Sequence, residues 1–256
     1  MSGADSGFKQ NLCVILVRTR NPLNIGAVAR AMANFGHSQL RLVAPYDLAF
    51  REARSAVGAT ELLANAEVCP SVAEAVADCT LVIGTTAATN RSVSLPLIPL
   101  PEAAPQIAAH AGKVALLFGS EKRGLANQDM SYCHWLMRIP TTQRSPSMNL
   151  AQSVVVVLYE LARTWNQIPA TVESEAMPAA DPAAKMQSLL RLAEVMHEAL
   201  EGCGYYSEAA AATSQEQLRR LLLRMKLTEA DLEIVLGMFR HILWKLRTNS
   251  KLEERN

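Results

Sequence analysis

A chain of 256 residues, 50% hydrophobic and 19% charged, is long enough to bury a sizeable core, either as one large domain or as a domain with an appendage. Its net charge is only +1, with 14 basic against 11 acidic residues over 1–169, 0 against 3 over 170–184 and 11 against 10 beyond; this excludes holding nucleic acid by bulk charge and leaves local basic patches for such a partner. No apolar block approaches the roughly 20 residues of a bilayer span, and MSGADSGFKQ lacks the basic and apolar stretches of a secretory signal, so the expectation is a cytoplasmic protein with no membrane partner.

The first buried strand is expected at residues 12–17, LCVILV, a run too short for a helix and apolar on both faces. Similar runs lie at 39–43, 80–84, 113–118 and 134–139. Between them, helical spacing occupies 24–35 before Gly36, an Ala-rich stretch at 71–78, and 101–110 before Gly112. Strands alternating with helices predict an α/β fold whose mostly parallel sheet is covered on both faces. The loop PTTQRSPS and a long apolar helix over 149–165 close a domain spanning 1–168. The acidic, proline-containing stretch 169–184 has linker composition, and 185–256 carries helical spacing at 186–200, 215–225 and 230–246, predicting a small α-helical C-terminal domain. That domain either packs against a second subunit, caps the first domain, or adds an RNA contact through Arg219, Arg220, Arg224 and Lys226.

The cysteines at 13, 69, 79, 133 and 203 are odd in number, widely spaced and mostly set in apolar sequence, which predicts no disulfide framework. Cys133 and His134 adjoin in what reads as a strand, and no finger or HExxH spacing occurs, so no metal is expected.

In an open parallel sheet, ligands bind beyond the C-terminal ends of the strands. The segments there read RTRNPLNIGAVAR, GTTAATNR, FGSEKRGL and IPTTQRSPSMN. In the first, Pro22 and Asn24 precede Gly26, and Arg30 projects from the opening turns of a helix, where its forked guanidinium either grips a phosphate or carboxylate or sits on a solvated face. In the others, Gly84, Gly119 and Gly124 permit close backbone approach, while Thr85, Thr86, Ser120 and Ser147 offer compact hydroxyls suited to a small polar ligand. No GxGxxG follows the first strand, and neither GxxxxGK[ST] nor GxSxG occurs, so a dinucleotide fingerprint, a phosphate loop and a serine-hydrolase elbow are not signalled.

Taken together and in order, NPLNIGAVARAMANFG, FGSEKRGL and IPTTQRSPSMNLAQSVVVVLYEL resemble the three motifs of the SpoU/TrmH group of SPOUT methyltransferases, over about residues 10–166. GTTAATNR and the helical C-terminal extension resemble the subgroup that methylates cytidine and uridine riboses in tRNA. The resemblance implies a SPOUT-type sheet with a C-terminal deep trefoil knot, a rare exception to ordinary chain connectivity. It implies S-adenosylmethionine (SAM) bound by Thr85, Thr86, Ala87, Gly119, Ile139, Pro146, Ser147 and Met148, with no metal, and a homodimer whose active site is completed across the interface. The catalytic candidates it gives are Arg30 and Asn24 from the first motif, Ser147 and Asn149 from the third, and Glu121 from the second, the last either in the chemistry or as an anchor of the knot. RNA contacts are expected from Arg18, Arg20, Lys122, Arg123 and Arg144. The implied substrate is a pyrimidine ribose at position 32 of the tRNA anticodon loop; ribosomal RNA, another tRNA site and a non-catalytic RNA-binding role are the alternatives. Two positions depart from the subgroup: Ser120 stands where arginine is common, and Pro146 stands where a serine would donate a hydrogen bond.

Overall fold

Seven short strands run parallel in one sheet among the described residues, and their apolar side chains pack into one core with those of the covering helices. The computed structural model describes residues 11–46, 53, 55–87, 95–167, 182–206 and 211–253. Within these, β1 (Leu12–Val17), β2 (Gln39–Val43), β3 (Glu67–Cys69), β4 (Leu81–Thr85), β5 (Leu97–Pro99), β6 (Val114–Phe118) and β7 (Trp135–Arg138) lie in the order β3-β2-β1-β6-β4-β7-β5. Every pairing is parallel, with Val14 opposite Leu40 on one side and Leu116 on the other. All six residues of β1 and all five of β6 are buried, as expected of central strands covered on both faces.

The five strands expected from apolar runs are present within a residue or two, and the expected mostly parallel α/β architecture is the observed one. β3 and β5 were not legible as runs: each is three residues long on an edge, and β5 ends at Pro99, a residue tolerated only where a ladder N–H is not needed. Cys133, expected in a strand with His134, lies in a turn before β7, and the His134 ring accepts a hydrogen bond from the Val82 N–H (3.0 Å) through Nδ1.

Helix α1 (Pro22–Asn34) begins where the Asn21 side chain accepts from Leu23 N (2.9 Å) and Pro22 occupies the first turn, its missing N–H costing nothing there. It ends at Gly36, whose φ of 76° is the left-handed turn that a residue with a Cβ resists. α2 (Thr60–Ala64), α3 (Val72–Ala75) and α5 (Asn127–Met130) are short, and α3 realises only part of the helix expected at 71–78. α4 (Leu100–Ala108) and α6 (Leu150–Trp165) are longer, and α6 packs against both α1 and α4. Its buried Val154, Val157, Leu158 and Leu161 each contribute about 1.5–3 kcal/mol of burial.

At the opposite edge from the strand-end loops, Asp78 receives Arg41 Nη1 (2.6 Å) and Lys113 Nζ (2.6 Å), and Arg41 also reaches Glu67 (2.8 Å). The Arg41 hydrogen bonds outweigh the opposing effect of burial and, with Lys113, hold the Asp78 carboxyl well below the usual carboxylate range. A depressed carboxylate stabilises the fold above its unfolded pKa of about 4, and that stabilisation is lost as the pH falls toward the folded value. Asp78→Asn is therefore expected to lower Tm at pH 7, and the gap to the parent should close in calorimetric scans taken at successively lower pH below 4; a gap that persists unchanged at the lowest pH would contradict the assignment.

The chain divides into two units between residues 177 and 178. In the second, α7 (Met186–Gly202) packs against α8 (Ala211–Met225) and against α9 (Glu229–Glu253), burying Leu189, Leu192, Leu222, Leu232 and Leu236. The stretch expected as a linker at 169–184 lies outside the described residues except for its end, and there Ala184 N donates to Leu227 O (3.1 Å), so residues 182–184 belong to the helical unit. Among the described residues, no helix is long and apolar enough to cross a membrane.

Candidate functional site

The loops after β4, β6 and β7 meet in one cavity of about 410 Å³. Thr85, Thr86 and Ala87 form one wall, Phe118 and Gly119 through Gly124 a second, and Ile139, Pro146, Ser147, Met148, Leu150 and Ser153 a third. All eight residues expected to hold a cofactor line it: Thr85, Thr86, Ala87, Gly119, Ile139, Pro146, Ser147 and Met148. Ala88–Arg91 of GTTAATNR lie outside the described residues. The size falls in the range of a small-molecule site, and the lining mixes apolar side chains with hydroxyls and two cations, Lys122 and Arg123, a set that fits a nucleoside carrying a charged amino-acid arm.

Local chemistry fixes each wall. The Thr85 hydroxyl donates to Leu117 O (2.9 Å), so it locks β4 to β6 rather than pointing a donor at a ligand. Thr86 N donates to Met137 O (3.0 Å), which holds the first wall against β7. A Cβ built on Gly119 would stand 2.0 Å from Gly124 C and 2.1 Å from Leu125 N, so the backbone turning back over residues 120–124 leaves no room for any side chain. Gly119→Ala is expected to force that turn outward, costing about 1–3 kcal/mol of stability and at least tenfold in affinity for the cavity's ligand, read by titration calorimetry beside a melting curve. Gly84 has a different reason for its size: a Cβ there would strike the Cys133 and Leu136 side chains. At Pro146 the carbonyl accepts from the Thr141 hydroxyl (3.0 Å), bracing the third wall in place of a side-chain donor.

Behind the cavity, one chain of hydrogen bonds joins three motifs. Asn149 caps α6 by accepting from Ala151 N (2.9 Å) and Gln152 N (3.4 Å), and its amide donates to Asn24 Oδ1 (3.1 Å). Asn24 Nδ2 in turn donates to Glu121 Oε1 (2.8 Å), and Glu121 also accepts from Arg20 N (3.2 Å) and Asn21 N (3.3 Å). Burial pushes the Glu121 carboxyl up, but the Asn24 amide and the backbone donors outweigh it and hold it below the ordinary range. Three of the five catalytic candidates, Asn24, Glu121 and Asn149, are thus bound to one another, while Ser147 faces the cavity and Arg30 stands apart on the exposed side of α1, outside the cavity lining.

The expected RNA-contacting cations divide in the same way. Lys122 and Arg123 line the cavity, and Arg144 is exposed in the loop before α6. Arg18 is half-exposed, its guanidinium paired with the buried Asp129, and Arg20 lies 5.1 Å above the ring of exposed Tyr46. Ser153 was not singled out from sequence; it lies one turn after Asn149, donates to Asn149 O (3.0 Å) and lines the cavity, a placement that i, i+4 spacing from the cap gives. Among the described residues there is no group of three His, Cys, Asp or Glu able to hold a metal ion.

The model of the SpoU rRNA Methylase family matches residues 11–159. The tRNA (cytidine/uridine-2′-O-)-methyltransferase TrmJ of Sodalis glossinidius (strain morsitans) is 33% identical over 239 residues, 91% of this chain and 91% of that protein. Among solved structures, TrmJ from Z. mobilis ZM4 aligns with a TM-score of 0.78 at 32% identity, covering 90% of this chain and 98% of the other. A probable methylase family protein from Haemophilus influenzae Rd KW20 aligns with a TM-score of 0.59 at 31% identity, covering 94% and 99%.

Proposed function

The chain belongs to the SpoU rRNA Methylase family, and from that premise we propose that it is a SAM-dependent RNA 2′-O-methyltransferase whose substrate is tRNA, at the ribose of the pyrimidine in position 32 of the anticodon loop. The observation that carries the reading is the convergence of the loops after β4, β6 and β7 on one cavity, with Asn24 of the first motif hydrogen-bonded to Glu121 of the second and Asn149 of the third. The activity in the name of the Sodalis relative supports tRNA and a pyrimidine, and its match runs through the helical unit as well as the sheet.

SAM, when bound, supplies a methyl group already activated on a sulfonium, so transfer to oxygen calls for neither a metal nor a covalent enzyme intermediate. The residues that would hold it are Thr85, Thr86, Ala87, Gly119, Ile139, Pro146, Ser147 and Met148, the apolar Ile139, Met148 and Leu150 excluding water. Arg30 is the group for the RNA. A guanidinium stays protonated at neutral pH and cannot serve as a general base; its fork instead grips the phosphate beside the target ribose and stabilises the negative charge that develops on the 2′-oxygen as its proton passes to water and the methyl arrives. Lys122, Arg123 and Arg144 supply further phosphate contacts, few enough to fit the weak net charge.

The same reading includes a C-terminal deep trefoil knot and a homodimer. Threading is supported by the sheet order, which places β7 between β4 and β5 although it follows β6 in the chain. The dimer is supported by Leu23 on α1 and Val155 and Tyr159 on α6, large apolar side chains left exposed on two helices that pack together. Arg30 on that exposed side would complete the cavity of a second subunit. The test is incubation with methyl-labelled SAM and total tRNA, with ribosomal RNA in parallel, followed by mapping of 2′-O-methylated riboses. Label at position 32 supports the proposal; label only in ribosomal RNA or at another tRNA position replaces the substrate, and absence of both SAM binding and label replaces the enzyme with an RNA-binding homologue.

A further inference from the structure

The outward face of α9 is apolar at its centre and oppositely charged at its two ends. Ile234, Met238 and Ile242 recur every four residues and are 61%, 59% and 44% exposed, although each is of a type that ordinarily seeks a core. The buried side of the same helix is carried by Leu232, Leu236 and Leu243, so the exposed stripe is a second apolar face, not an edge of the first. A Cβ on the neighbouring Gly237 would meet nothing within 4 Å, which leaves open space beside Met238. α7 is the packing partner of both α8 and α9.

The charges identify what covers it. Asp231 lies seven residues before Met238 and Lys245 seven after it, two turns away in each direction and on the same stripe, and both are exposed. Acid at the start and base at the end of a helix suit its dipole, but the dipole does not require the two to flank an apolar stripe symmetrically. Reversing the helix about Met238 sets Met238 against itself, Ile234 against Ile242 and Asp231 against Lys245, so the face is complementary to its own copy in the antiparallel sense. The Thr228 hydroxyl and N–H hold the Asp231 carboxyl below its ordinary range, so it carries its charge at neutral pH.

We infer that α9 is a self-association surface, pairing antiparallel with α9 of a second copy of this chain across a two-fold axis at Met238. A two-fold contact of this kind uses the same patch on both partners and buries the three exposed apolar residues twice over. The surface lies entirely within the helical unit and is independent of the methyltransferase reading.

Cysteine cross-linking in the full chain tests the register. Cys203, the exposed cysteine, is first replaced by serine; Cys13, Cys69, Cys79 and Cys133 are buried. With Met238→Cys added, mild oxidation is expected to convert most of the protein to a dimer on a non-reducing gel, reversed by dithiothreitol and unchanged on tenfold dilution. Ile234→Cys alone is expected to stay single, because its two copies would be separated along the axis by about 12 Å, beyond the roughly 7 Å Cα reach of a disulfide. Differently tagged Ile234→Cys and Ile242→Cys chains, co-expressed, are expected to give the mixed dimer. Lys245→Glu in the Met238→Cys chain should raise about fivefold the protein concentration needed for half the chain to cross-link, the measure of two exposed ion pairs turned repulsive, and Asp231→Lys added to it should restore the yield at low concentration. Absence of the Met238→Cys dimer, or cross-linking of Ile234→Cys to itself as readily, overturns the proposal, and failure of the charge swap to restore the yield overturns the antiparallel register.

Discussion

Arg18→Gln is expected to be among the most damaging single substitutions in the sheet domain, and Asp129→Asn in the same chain to undo most of the damage. The pair is asymmetric: the Asp129 side chain is 4% exposed, whereas that of Arg18 is 47% exposed. Without the guanidinium, a buried carboxylate keeps, among the described residues, only the Ala126 N–H (2.7 Å) as a donor. Stranding such a charge costs about 3 kcal/mol or more, which for a chain of this size lowers Tm by about 6–12 °C. Asp129→Asn alone leaves an arginine that can turn to water, and its carboxamide oxygen still accepts from Ala126, so its cost should be about 1 kcal/mol. The double variant should melt close to Asp129→Asn. The effect reaches the site as well: Arg18 adopts a φ of 54° directly after β1, and Asp129 sits in α5 directly after the turn that carries Gly119 and Gly124, so the pair braces the first and second motif loops against each other. Equal melting temperatures for Arg18→Gln and Asp129→Asn, or a double variant worse than either, would refute this account.

Arg30 predicts the opposite profile, large in catalysis and silent in folding. It is exposed, its side chain makes no hydrogen bond or ion pair among the described residues, and it lies outside the cavity. Arg30→Ala should therefore melt with the parent and bind SAM with unchanged affinity in titration calorimetry. Removal of a preorganised charge from the transition state costs about 10²–10³ in rate, and kcat/KM for tRNA methylation should fall by that factor. Arg30→Lys keeps the charge but loses the fork and should recover only a minor part. Full activity of the lysine variant would show that the fork is not used; a loss of SAM affinity equal to the loss of rate would move Arg30 from the RNA to the cofactor.

The sheet was legible because its central strands are buried on both faces and therefore written as unbroken apolar runs, as LCVILV in β1 and VALLF in β6. Where burial is one-sided or the strand is an edge of three residues, as in β3 and β5, too few side chains carry the pattern for it to stand out. The eight cofactor positions came from matching motifs, and their shared cavity has a local cause, the glycine at 119 that admits the backbone at 124. What the sequence could not show is partnership over long separations. Asn24, Glu121 and Asn149 each read as a candidate for chemistry, and their mutual hydrogen bonds, across intervals of 97 and 125 residues, appear only when the chain is folded. Arg18 is a like case: nothing in the residues around it announces its pairing with Asp129, 111 residues away.

Asn149 gives one carboxamide two fixed obligations, its oxygen to the first turn of α6 and its nitrogen to Asn24. Length changes on its two sides should then be tolerated very differently. The exposed stretch 140–147 can take an inserted residue at the small entropic cost of a longer loop. A residue inserted just after Asn149 would rotate everything beyond it by about 100°, carrying Ser153 off the cavity wall and Val154, Val157 and Leu158 out of the core together.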